Sequence, residues 1–238
     1  MNQSRSEQRG LFLESLALIL FGVNGLKDNK SLGNIELFIF DWDGTLNSMR
    51  LTLRINEAVR RSLGIWNKDS SIKDFRSVDF DLKKKLDSEE RKNNIQTFLF
   101  EILLNFSRPK LHNDSVDLLK KLRKKNKKIA LFTNGRSARI IREVKYLGID
   151  KYFDSIISAR DINILKPNPT GLKMILKSLK VKPEKAIYIG DMVDDIVTAR
   201  LAHMNSCAVA DGFDSYHTLK STSPDYIFRS VEELGKAI

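Results

Sequence analysis

Asp41 and Asp43 stand two positions apart immediately after the apolar run Phe38-Ile39-Phe40, in the string FIFDWDGTL. Thr133 and Asn134 follow a second apolar run, in FTNGR. Asp191, Asp194 and Asp195 follow a third, in YIGDMVDDI, and Lys166 stands in LKPNPTG. Carboxylates at such places can hold a cation or carry out acid-base or nucleophilic work, while hydroxyl, amide and ammonium groups stabilise an anion. Each string also has a structural reading. Asp43-Gly44 can simply turn the chain, Thr133-Asn134-Gly135 and Asp191 can cap the helices that follow them, and Lys166 can be an ordinary loop lysine.

The conjunction points to a charged ligand. Asp191 and Asp195 are four apart at the start of a helical pattern, so their like charges repel, and a helix N-terminus offsets only part of that repulsion. Adding Asp41 and Asp43 at the same sheet edge makes a carboxylate cluster whose pKa values rise unless a cation sits among them. An oxygen-only ligand set selects a hard ion, and Mg2+ is the usual one where phosphate supplies further ligands. His112, His203 and His217 occupy no matching position. A calcium loop of the EF-hand kind fails on spacing, because Gly44 arrives two positions early and Thr52 stands where a bidentate Glu is required.

The elements that would position these groups follow from hydrophobic period. Short apolar runs at 35–40, 128–132, 154–158, 185–189, 206–210 and 225–228 read as strands. Helical patterns lie at 113–125, 137–147, 169–179, 192–203 and 230–237. Asn113 or Asp114 is placed to cap the first of these, and Gly148 to end the second. This alternation predicts an α/β fold, a Rossmann-like, mostly parallel sheet with helices on both faces. In such sheets ligands sit beyond the carboxyl ends of the strands, where the residues above fall. The interval 47–111 breaks the pattern. NEAVRRSLGI and NNIQTFLFEILLNF read as helices there, so a small α-helical domain is expected to be inserted in a core of residues 35–46 and 112–238. Residues 1–34 form an N-terminal extension expected to be helical.

With 238 residues and 42% hydrophobic content the chain can bury a sizeable core. Its single cysteine, Cys207, excludes an internal disulfide and favours a reducing, cytoplasmic setting. The net charge of +11 attracts anionic partners without naming them. The densest basic run, Lys120 to Lys128, has Val116, Leu118, Leu119 and Leu122 on the opposite helix face. It carries no aromatic residue for base stacking, which argues for a solvated face and against nucleic acid. Residues 11–23, LFLESLALILFGV, are too short and, with Glu14, too charged for a span, so no membrane crossing is expected. An amphipathic helix packing on the body, on a protein partner or on a second copy is the reading for this segment.

The four strings DWDGT at 41–45, TNG at 133–135, Lys166 and GDMVDD at 190–195, in this order, resemble the motifs of the haloacid dehalogenase superfamily. The similarity runs from about residue 35 to the end. It implies a Mg2+-dependent phosphotransfer enzyme acting on a small phosphorylated substrate. Asp41 would be the nucleophile that becomes an aspartyl phosphate, and Asp43 the acid and base for the leaving group and water. Thr133 and Asn134 would bind phosphoryl oxygens, Lys166 would balance charge, and Asp41, the Asp43 carbonyl, Asp191 and Asp195 would serve the metal. The presence of Asp43 resembles the phosphatase and phosphomutase branches. The insertion after the first motif resembles the helical cap of phosphoglycolate phosphatase-like members. Arg50, Arg54, Arg61 and Lys68 are possible anion contacts in it, and Arg136 is a candidate for contacting the leaving group. Two alternatives stay open, a phosphomutase and a basic binding protein built on the same fold. Residues 1–34 match no part of the family pattern.

Overall fold

The computed structural model describes residues 32–48 and 108–238. The chain divides into two units, Met1–Ser48 with Leu111–Ile238 and Met49–Lys110. The described residues belong almost wholly to the first. The helical reading of the extension and of the insertion, with Arg50, Arg54, Arg61 and Lys68, lies outside them, except that Leu32–Asn34 form one 3-10 turn.

Strands β1 (Leu37–Phe40), β2 (Lys128–Thr133), β3 (Ser155–Ser158), β4 (Ala186–Gly190), β5 (Asn205–Val209) and β6 (Tyr226–Phe228) form one sheet in the order β3-β2-β1-β4-β5-β6. Every neighbouring pair is parallel. The central strands are apolar on both faces, as a parallel sheet covered on two sides requires, and all four residues of β1 are buried. Helices α1 (Ser115–Lys124), α2 (Ser137–Tyr146), α3 (Thr170–Leu179), α4 (Val193–Leu201), α5 (Tyr216–Ser221) and α6 (Val231–Ala237) connect or follow the strands. Alternate strand residues feed two cores. Phe38, Phe40, Ile129, Leu131, Ile187 and Ile189 pack with Leu118, Leu119 and Leu122 of α1, Ile140 and Val144 of α2, and Leu234 of α6. Leu37, Ile39, Ala130, Phe132 and Tyr188 face Leu172, Ile175 and Leu176 of α3 and Ala199 of α4.

Among the described residues, the strands expected from 35 to 228 and the helices expected from 113 to 237 are present, with differences at their ends. Asp114 stands at the N-cap of α1 without a capping hydrogen bond. The next residue, Ser115, instead donates its hydroxyl to Leu46 O at 3.1 Å. Gly148 ends α2 with φ +67, the left-handed conformation that glycine adopts without strain. Helix α5, six residues capped by Ser215, was not anticipated. Several lysines of the basic run satisfy backbone carbonyls. Lys121 donates to Gly235 O at 2.8 Å, and Lys127 to Gly33 O at 2.8 Å. Among the described residues no helix is long and apolar enough to cross a membrane.

The sheet order reverses between β1 and β4, since β1 is followed in space by β2 and β3 on one side and by β4, β5 and β6 on the other. The crossovers that follow β1 and β4 therefore run to opposite sides of the sheet, and in such sheets the ligand site lies at the carboxyl ends of these two strands. Asp41 N donates to Ile189 O at 2.8 Å, which carries the ladder one residue past β1. Beyond it the chain closes on itself. Asn47 N donates to Trp42 O at 2.9 Å, and Gly44 N to Asn47 O at 2.8 Å. The two ends of the insertion meet here, because Asn47 bridges Leu111 and His112 N donates to Leu46 O at 3.1 Å.

Candidate active site

Asp41 leaves β1 and Asp191 leaves β4, so both carboxylates arise at the switch point, and Asp195 joins them from the first turn of α4. Carboxylate oxygens of Asp41, Asp191 and Asp195 all lie within 4.8 Å of one another, and all three residues are buried. Asp191 is fixed from two sides, by the Thr45 hydroxyl at 2.8 Å and the Phe213 N–H at 2.8 Å. Backbone approaches it closely enough that side chains are excluded. A Cβ on Gly44 would sit 2.2 Å from Asp191 Oδ2, and one on Gly212 would sit 2.0 Å from the same atom. Gly44 also has φ +90, a backbone conformation open to glycine and strained for other residues.

Lys166 brings the one cation among these residues. Its Nζ lies 2.6 Å from Asp195 Oδ1 and 3.1 Å from Asp41 Oδ1. Asp195 is fully engaged, since its other oxygen accepts the Met192 N–H at 3.0 Å. Tyr188, buried in β4, steadies the same spot. Its hydroxyl accepts from Lys166 Nζ at 3.2 Å and lies 2.9 Å from Phe132 O and 3.1 Å from Asp195 Oδ1, to one of which it donates. Asp41 Oδ1 faces the ammonium yet takes no well-aligned hydrogen bond among the described residues.

The titration behaviour follows from burial and charge. Burial pushes the Asp41 carboxyl up to about 6, with Asp195 and Asp43 adding to the rise and Lys166 opposing it. Burial also raises Asp191, aided by Asp41 and Asp195, although Phe213 N–H and the Thr45 hydroxyl favour its anion. Burial alone would depress the Lys166 ammonium, but Asp195 and Asp41 outweigh it and the group is held above its ordinary range. Three buried acids around one lysine leave an excess of negative charge. Together with the orphaned Asp41 oxygen, this is the donor set that a hard divalent cation fits.

Thr133 and Asn134 reach the same edge from β2. Thr133 Oγ1 accepts the Gly135 N–H at 3.1 Å. Asn134 Oδ1 accepts the Lys166 N–H at 3.1 Å, joining this loop to the lysine loop, and its carbonyl accepts from Arg160 Nε at 3.0 Å. Asp43 is placed apart from the cluster. Its carboxylate accepts from Asn47 Nδ2 at 3.1 Å and from both terminal nitrogens of Arg139, Nη1 at 3.0 Å and Nη2. Asp194 does not join the acidic cluster, and Arg136 is exposed at the start of α2. Sequence reasoning missed Trp42, Thr45, Arg139, Glu143, Tyr188 and Phe213. Arg139 and Glu143 carried a signal, being four apart and flanking the inward positions Ile140 and Val144.

Fold and site together define an α/β protein with a metal-competent acidic centre at the switch point of a parallel sheet. Residues 38–209 match the model of the haloacid dehalogenase-like hydrolases, and the chain belongs to that family. It is 26% identical over 206 residues to pyrophosphatase PpaX of Oceanobacillus iheyensis, covering 84% of this chain and 95% of that one. It is 27% identical over 122 residues to the phosphoglycolate phosphatase of Escherichia coli, covering 51% of this chain and 48% of the relative, so this match spans about half of each protein. A crystal structure of a haloacid dehalogenase-like hydrolase from Bacteroides fragilis superposes with a TM-score of 0.65 at 24% identity, over 84% of this chain and 99% of that one.

Proposed function

We propose that the protein is a Mg2+-dependent phosphatase that hydrolyses a small phosphorylated metabolite through an aspartyl phosphate on Asp41. The observation that carries this reading is the Asp41 carboxylate, buried at the switch point with one oxygen unsatisfied beside Lys166. Asp41, Asp191 and the Asp43 carbonyl would hold the ion, with Asp195 orienting that set. The ion would supply charge neutralisation for the nucleophile and the phosphoryl oxygens.

Asp41 attacks phosphorus and the bond to the leaving oxygen breaks, with the proton for that oxygen coming from Asp43. Water then attacks the same phosphorus and gives a proton back to Asp43, and the Asp41 carboxylate is released. Lys166 balances the charge gained when phosphate approaches a pocket already rich in carboxylates. Thr133 keeps its hydroxyl hydrogen for a phosphoryl oxygen, since its Oγ1 is an acceptor in the bond from Gly135 N–H. Asn134 holds the loop of Lys166 against that of Thr133. Residues 47–111 are the proposed cap and the source of substrate choice. The relatives' names place phosphoglycolate and pyrophosphate first among compounds to try, followed by sugar phosphates and nucleotides.

Phosphate release from such a panel, with Mg2+ and with a chelator, tests the reading. Turnover is expected only with the metal, and Asp41→Asn is expected to lower it by ~10³-fold or more. A folded wild-type protein releasing no phosphate from any compound, or full activity in Asp41→Asn, would overturn it.

A further inference from the structure

Asp43 is held by a buried network that the acidic cluster does not require. On α2, Arg139 and Glu143 stand one turn apart with their side chains 9% and 2% exposed. Arg139 forks onto Asp43 through Nη1 and Nη2, and Nη1 also reaches Glu143 Oε2 at 3.3 Å. Glu143 Oε2 accepts the indole N–H of Trp42 at 2.7 Å. Trp42 is the residue between Asp41 and Asp43, so one face of α2 grips two consecutive residues of the catalytic loop. Gly135 leaves space for the guanidinium, as a Cβ there would stand 2.4 Å from Arg139 Nη2.

We propose that Arg139 is a positioning residue for Asp43, its planar fork fixing where that carboxylate stands, while Glu143 holds Arg139 and Trp42 in register with it. Two parallel N–H···O bonds set the rotation of the carboxylate plane, which a single ammonium donor does not do. Buried charge of this kind is poor at stabilising a fold compared with apolar packing, so its use beside one chosen carboxylate points to orientation as its purpose. The inference rests on the reading of Asp43 as the proton donor.

The measurement is kcat/KM for two probes, an alkyl phosphate, whose alkoxide needs a proton to leave, and p-nitrophenyl phosphate, whose phenolate leaves unaided. Asp43→Asn is expected to lower the alkyl substrate ~100-fold more than the aryl one. Arg139→Met is expected to shift the ratio in the same direction by about 10-fold, with Arg139→Lys and Glu143→Gln between it and wild type. A residue that merely supports the fold would lower both substrates alike. That result in a folded Arg139 variant, or an unshifted ratio, overturns the inference. Should Arg139→Met fail to fold, Arg139→Lys and Glu143→Gln must still show the bias, and its absence in them overturns the inference equally. No bias in Asp43→Asn removes the proton-donor reading and this inference with it. Bias in Asp43→Asn without bias at Arg139 removes only the inference.

Discussion

On one side of Trp42, Asp41 shares a single buried lysine with Asp195 and lies near Asp191. On the other, Asp43 accepts from the guanidinium fork of Arg139 on α2, which Glu143 also engages, and from Asn47. Two carboxylates separated by one residue thus sit in opposite electrostatic settings. Past β1 the chain turns at Trp42, so Asp41 meets Lys166 and, from α4, Asp195, while Asp43 meets Arg139 of α2. Asp41 is left under-compensated and receptive to a cation. Asp43 is compensated and held in orientation. Identical side chains acquire separate duties from their neighbours, as happens whenever environment drives the properties of two acids apart.

The contrast can be broken most severely at the lysine. Lys166→Met leaves Asp41 and Asp195 buried without their cation, an expected cost of about 3–5 kcal/mol in urea unfolding at pH 7. The loss is expected to shrink at pH 5, where Asp41 takes up a proton. A metal titration sharpens the same asymmetry. The Asp41 carboxyl is raised from 3.8 to about 6 in the fold, so its contribution to stability is complete below about pH 4 and lost as pH rises through about 6. A divalent cation binds the ionised cluster. The stabilisation between chelator and saturating Mg2+, read as a rise in Tm, is therefore expected to be larger at pH 7.5 than at pH 5, and to correspond to about 2.7 kcal/mol at 100-fold over Kd. The smallest effect is expected for Tyr188→Phe, which removes one hydroxyl from around Lys166 and Asp195. About 1 kcal/mol by denaturant midpoint is the expected loss, with turnover reduced less than in Lys166→Met.

Much of this arrangement was legible in the residue pattern. Apolar runs marked the six strands because both faces of a central parallel strand are covered, and the residues just past them were the ones that assemble the acidic centre. What escaped has physical reasons. Arg139 and Glu143 have the spacing of an exposed helical ion pair, and only the tertiary position of the DWD loop turns that pair into an internal clamp. Tyr188 sits in AIYIG, where a tyrosine reads as core. Its ring is indeed core, and the hydroxyl role depends on Lys166 arriving from a distant loop. Phe213 acts through its backbone N–H, which side-chain type does not disclose. Helix α5 is too short to show a helical period. The cap of α1 passed from Asp114 to the Ser115–Leu46 contact because the incoming chain is tied to the loop that follows β1.

That tie between Asn47 and Leu111, backed by His112 and Leu46, makes the intervening chain a closed excursion that departs and returns at one point of the core. The pairing of β1 with β2 is then indifferent to how long the excursion is, since doubling a flexible loop adds only about 0.6 kcal/mol to its closure. The residues of the acidic centre and those of the second unit are thereby carried on separable stretches of one chain. Selection can exchange the second without disturbing the first, as one graft replaces another on the same rootstock.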